Sequence, residues 1–138
     1  MTSTKKQISV RDVMKTSFGI IDSMATIQDA VMKIKELKTS MLVVEKRHPD
    51  DEYGLLLVSD IARQVLARDR ACSRVNVYEV MIKPAIAVDP EMDIRYCSRL
   101  FDQFDLVRAL VVENGEVIGT ISPNLLVLDG MFALEEGG

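Results

Sequence analysis

The sequence predicts an α+β fold, with two β-α-β-β-α repeats packed through their sheets about a pseudo-twofold axis. Three observations predict it. First, the chain repeats itself. Val13-Met14 recurs as Val80-Met81, 67 positions on, and GLLLVSDI (residues 54–61) recurs in outline as GTISPNLL (residues 119–126), 65 positions on. Second, Ile27, Ala30, Ile34 and Leu37 are matched by Ile94, Cys97, Phe101 and Phe104. Each set follows one face of a helix. Third, SMLVVE (residues 40–45) and RALVVE (residues 108–113) are short runs, apolar on both faces, with their offset slipped by one. Helices would cover one face of each sheet and the other repeat's sheet the opposite face. Neither repeat, at roughly 60 residues, buries enough surface to stand alone.

The elements follow in order. Ser9 with Asp12 three places on reads as a capping box opening a short helix. FGIID is a short strand. Thr26 with Asp29 caps a helix that runs to about Lys38. MLVVE and GLLLV are strands joined by the polar loop KRHPDDEY, and Ser59 starts a helix to about Arg70. In the second repeat Asn76 and Glu79 form another capping pair, AIAV is the first strand, and Asp93 starts the long helix. RALVVE and EVIGTIS make a hairpin around Asn114-Gly115, whose residues suit the left-handed turn. The shorter hairpin accounts for the slip in offset. Ser122 and Pro123 give an N-cap followed by proline at the first helical position. The organisation is therefore residues 8–70 as repeat 1, 71–76 as linker, 77–131 as repeat 2 and 132–138 as a flexible acidic tail.

Composition narrows the function. Of 138 residues, 48% are hydrophobic, ample for a core, and the formal net charge of −4 with no Trp and no basic stripe argues against nucleic-acid binding. No apolar run reaches the roughly 20 residues that span a bilayer, and MTSTKKQ lacks a signal-peptide core. The expected setting is cytoplasmic, away from membranes. Cys72 and Cys97 have neither metal-ligand nor redox spacing; Cys97 falls in an apolar helical pattern and reads as a buried thiol. His48 lies in a polar loop, and HPDDE reads as solvated chain rather than a metal site. Met14, Met24, Met32, Met41, Met81 and Met92 read as core filler. No nucleophile–base pair, glycine-rich phosphate loop or His/Cys cluster points to catalysis. A non-enzyme that needs no cofactor is expected.

VRDVM and VYEVM opening each copy, SMLVVE and RALVVE, and GLLLVSDI and GTISPNLL together resemble the tandem cystathionine-β-synthase (CBS) domain pair, or Bateman module. The resemblance covers about residues 10–128. It implies a regulatory binding module that takes adenine nucleotides or related adenosyl ligands in two clefts between the copies, and two such pairs joining as a homodimer. In that family a Ser or Thr, two variable residues and an Asp link each last strand to its helix, and the Asp accepts hydrogen bonds from ribose hydroxyls. A ribose offers two adjacent donors that one carboxylate can accept. Helix N-terminal amides favour phosphate.

Each copy keeps half of that pattern. Repeat 1 has Leu57 in the hydroxyl position and keeps Asp60; repeat 2 keeps Ser122 and has Leu125 in the Asp position. By the family's geometry one cleft would combine Leu57, Asp60 and Arg63 with Met81, Ile86, Val107, Arg108 and Ala109. Arg108 could meet phosphate. The weaker cleft would combine Ser122 with Met14, Gly19, Thr39, Ser40 and Met41. Plainer readings stand beside these. Asp60 suits the first turn of a helix through the dipole alone, Ser122 suits an N-cap, and Arg108 could pair with Asp102 or Asp105. The expected function is a module that binds AMP, ADP, ATP or S-adenosylmethionine and signals occupancy to an unidentified protein partner. The alternative is a degenerate pair serving as a structural dimerisation scaffold.

Overall fold

The computed structural model describes residues 7–136, which form two compact units. One is Phe18–Ala85; the other joins residues 7–17 to residues 86–136. The units therefore exchange the opening segments of the repeats. Helix α1 (Val10–Val13) contributes Val10 and Val13 to the core that holds the second repeat's strands. The 3₁₀ turn Val77–Glu79 contributes Val77, and the following Val80, to the core around the first repeat's strands.

In the 18–85 unit, β1 (Ile20–Ile21) runs parallel to β2 (Met41–Val44), which pairs antiparallel with β3 (Gly54–Leu57). Helix α2 (Ile27–Leu37) lies between β1 and β2 in sequence. Thr26 caps it: the Thr26 Oγ1 accepts from the Asp29 amide and an Asp29 carboxylate oxygen accepts from the Thr26 amide. Its C-cap, Lys38, takes the left-handed conformation that ends many helices. Ile27, Ala30 and Ile34 face Leu42, Val44 and Leu56 in one core. Leu37, at the end of the same helical stripe, is exposed. Met41, Val43, Leu55 and Leu57, on the opposite face of the sheet, are buried as well. Helix α3 (Val58–Ile61) follows β3 directly and passes into a π-helical turn, Ala62–Leu66.

The 86–136 unit repeats this order. β4 (Ala87–Val88) runs parallel to β5 (Ala109–Glu113), and β5 pairs antiparallel with β6 (Glu116–Ile121). Asn114 and Gly115 both have positive φ, the type I′ geometry of a two-residue hairpin. Helix α4 (Ile94–Gln103) is capped by Asp93 and buries Ile94, Cys97 and Phe101, while Phe104 is exposed. Burial pushes the Cys97 thiol up to about 11, so it stays protonated at neutral pH. The chain then forms α5 (Pro123–Leu125), a π-helical turn (Leu126–Met131) and α6 (Phe132–Glu136).

Several expectations change. The repeated letters LVV do not mark equivalent positions. Val43 donates its amide to Gly19 O and Leu110 donates to Ile86 O, each at 2.9 Å. The 67-residue offset therefore runs on through β2 and β5, equating Val43 with Leu110 and Met41 with Arg108. It falls to 65 only at the third strand, where Val44 pairs with Gly54 and Val111 with Gly119. Helix α3 begins at Val58 rather than Ser59, because Leu57 is the last extended residue. Residues 132–136 are helical where a tail was expected, since Ala133 and Leu134 pack on the core. Met24 and Met32 are exposed rather than core filler: Met32 lies off the buried stripe of α2, and Met24 precedes that helix. Among the described residues no helix is long and apolar enough to cross a membrane.

Candidate functional site

The residues singled out in the sequence separate by unit. Gly19, Thr39, Ser40, Met41, Leu57, Asp60, Arg63 and Met81 lie in the 18–85 unit; Met14, Ile86, Val107, Arg108, Ala109 and Ser122 lie in the other. Within the 18–85 unit the structure brings Ser40 and Met41 to the start of α3. The Val58 amide donates to Ser40 O at 3.0 Å, and Met41 is the register partner of Leu57.

Asp60 sits in the first turn of α3, and only 6% of its surface is exposed. One carboxylate oxygen accepts from Arg63 one turn on, whose own side chain is largely exposed. The other oxygen, Oδ2, is buried and has no hydrogen-bond partner among the described residues. The helix N-terminus favours a negative charge there. That does not replace the missing donor: leaving a buried polar atom unsatisfied costs about 1–3 kcal/mol. Met81 approaches the start of β3 from the opening segment of the second repeat. A Cβ at Gly54 would stand 3.0 Å from its sulfur. Gly19 is equally enclosed, since a Cβ there would come within 2.7 Å of Leu42 and closer still to Leu37. The Thr39 hydroxyl donates to Met41 O at 3.3 Å, fixing the entry to β2.

The 86–136 unit uses the same backbone differently. Ser122 is buried, and its Oγ accepts from the Leu125 amide at 3.4 Å, an N-cap bond. Leu125 packs against the core. The hydroxyl and the Leu that replaces the Asp thus both have structural work. Met14 lies over Gly119 as Met81 lies over Gly54. Arg108 Nη1 donates to Val107 O at 2.8 Å. Ala109 is fully buried, while Val107 and Ile86 are exposed.

A cavity in the 18–85 unit contains none of the expected residues. Asp22, Glu45, Lys46 and Arg47 line it, at the carboxyl ends of β1 and β2. The sequence signal for it was the longer, cation-bearing loop of the first repeat. Among the described residues no group of three or more His, Cys, Asp or Glu is placed to hold a metal ion.

Known proteins share the sequence pattern and the fold of this chain. Residues 77–126 match the family model described as CBS domain. The chain is 26% identical over 123 residues to the CBS domain-containing protein YhcV of Bacillus subtilis (strain 168), covering 89% of this chain and 86% of that one. The solved structure of a hexameric CBS-CP12 protein from bloom-forming cyanobacteria is 34% identical, with a TM-score of 0.87, over 91% of this chain and 73% of that one. A conserved CBS domain protein of unknown function from Thermoplasma acidophilum, TA0289, shares the fold at 23% identity, with a TM-score of 0.78, over 95% of this chain and 78% of that one. The chain belongs to the CBS-domain family and is a CBS-domain pair, a regulatory kind of module.

Proposed function

We propose that this CBS pair is a non-enzymatic sensor that takes an adenosine-containing ligand at Asp60 and passes its occupancy to a protein partner. The observation that carries the reading is the buried, unpartnered Asp60 Oδ2. A ribose diol would supply the donor that this oxygen lacks. Arg63 already pairs with the other oxygen, and a ligand would reach Oδ2 once the Asp60 side chain turned to expose it. Occupancy acts by population shift: the ligand favours whichever arrangement of the module binds it better, by no more than its differential affinity.

Calorimetry with AMP, ADP, ATP and S-adenosylmethionine tests the reading. At least one should give saturable heat. Removing a charged acceptor should weaken binding about ten- to a hundredfold in Asp60→Ala. No heat with any of the four sinks the proposal.

A second reading, a scaffold without a nucleotide, is favoured by Leu57 in the hydroxyl position and by the structural engagement of Ser122 and Leu125. Both readings include self-association, as in the hexameric cyanobacterial protein. Val127, Leu128 and Met131 of the last π-helical turn and Phe132 of α6 are exposed apolar residues, the surface that a homodimer would cover. Sedimentation with and without ATP separates the two readings, because a scaffold keeps one size and one stability in both.

A further inference from the structure

The cavity at the carboxyl ends of β1 and β2 is lined by two carboxylates, Asp22 and Glu45, and two cations, Lys46 and Arg47. Crevices outside the carboxyl ends of parallel strands are habitual ligand sites in open sheets. This one has a volume of about 170 Å³. At roughly 30 Å³ per water it holds the equivalent of about five or six waters. Its charges sum to zero, so a ligand with a net charge would leave a pair unmatched. A ligand carrying one charge of each sign, a few bonds apart, would match both.

The loop fixes the charges in place. The Lys46 ammonium lies 4.9 Å from the centre of the Tyr53 ring. Arg47 Nη1 donates to the buried Ser23 Oγ at 3.5 Å, and the Arg47 amide donates to Asp51, itself paired with Lys83 at 2.7 Å. Asp22 uses one oxygen to accept from the Met24 amide, which orients its carboxylate. Glu45 makes no ion pair among the described residues. The second repeat makes the same Asp turn, with Asp89 accepting from Glu91. By the 67-residue offset, however, it has Val112, Glu113 and Asn114 where Glu45, Lys46 and Arg47 stand. The set of four charges is peculiar to the first repeat and comes with its longer loop.

From this we infer that the cavity is a binding site for a small zwitterion of the α-amino-acid class, with its ammonium toward Asp22 and Glu45 and its carboxylate toward Lys46 and Arg47. The site is independent of Asp60 and of any nucleotide.

The test is a nuclear magnetic resonance titration of the intact chain with glycine, L-serine and L-alanine. Putrescine (an amine without a carboxylate) and acetate (a carboxylate without an amine) form the control arms. At least one amino acid should shift the amides of residues 22 and 45–47 saturably, and neither control should do so. Glu45→Gln and Arg47→Met, at exposed positions that leave the cores untouched, should each weaken that binding about tenfold or more. Four outcomes overturn the inference: no saturable shift, putrescine or acetate binding as well as the amino acids, unchanged affinity in both variants, or shifts confined to other residues.

Discussion

The two units share their packing and differ in their chemistry. Each places a methionine from a distant opening segment over a glycine of its third strand: Met81 over Gly54, and Met14 over Gly119. Each buries the first three members of its helical stripe and exposes the fourth. The structurally equivalent positions at the helix start, however, hold Leu57 and Asp60 in one unit and Ser122 and Leu125 in the other. Among the described residues, only one unit has a buried carboxylate with an unsatisfied oxygen. The strand pairings and the buried helical stripe are common to both units. The polar groups at the helix start are free to diverge, because a helix can be opened by Leu57 without a side-chain cap or by Ser122 with one.

The glycines test the shared part, and the largest effect belongs there. A Cβ at Gly119 would stand 2.8 Å from the Met14 sulfur and 2.9 Å from the Lys15 carbonyl, whose strand-like pairing with Thr120 it would disturb. At Gly54 the nearest atoms are the Met81 sulfur at 3.0 Å and Val44 Cβ at 3.1 Å. Overpacking costs about 1–3 kcal/mol. Gly119→Ala should fall near the top of that range and Gly54→Ala near the bottom, read as a larger fall in Tm for Gly119→Ala. Equal falls would show that the two clamps are equivalent after all.

Exchange at the helix start tests the divergent part. Asp60→Leu gives one unit the residue of the other and removes the orphaned oxygen. It should raise stability by about 1 kcal/mol, roughly 2–4 °C in Tm, while abolishing any nucleotide-induced stabilisation. Leu125→Asp should lower Tm, because it puts a carboxylate where Leu125 packs against the core. A stable, nucleotide-responsive Asp60→Leu variant would separate Asp60 from ligand binding.

The smallest effect concerns the hairpin loops. Asp51 is held below the ordinary carboxyl range, first by the hydrogen bond from Lys83 and then by the amides of Arg47 and Glu52. A depressed carboxyl stabilises its loop above the ordinary carboxyl pKa, and that stabilisation is lost as pH falls below about 4. Amide relaxation should show residues 45–53 loosening between about pH 6 and about pH 2.5, with the Asn114-Gly115 turn unchanged. Lys83→Ala should produce part of the same loosening at neutral pH.

Much of the fold was legible. The capping boxes at Ser9, Thr26 and Asn76, the Asp93 and Ser122 caps and the Asn114-Gly115 turn are local signals, and each stands as read. The strand register was not legible. β2 is buried on both faces, so no alternation of apolar and polar residues pins it, and LVV can match LVV one place out of register. The exchange of opening segments was hidden for a related reason. Nothing in VRDVM or VYEVM states which sheet it will cover. The positions of Asp60 and Ser122 could be found from the chain, while the unpartnered oxygen at one and the occupied hydroxyl at the other depend on neighbours brought in by folding. The four-charge cavity was missed because KRHPDDEY reads as solvated loop until Ser23, Tyr53 and Lys83 are seen to anchor it.

The exchange of opening segments has a consequence for synthesis. Residues 10–13 leave the ribosome well before residues 88–126, which supply most of their core. They must wait, unburied, while the whole intervening unit is translated. That unit in turn lacks Val77 and Val80 until its own last stretch emerges. Cutting the gene between the repeats would therefore yield two fragments, each carrying the other's keystone, and mixing the two should restore what neither can build alone.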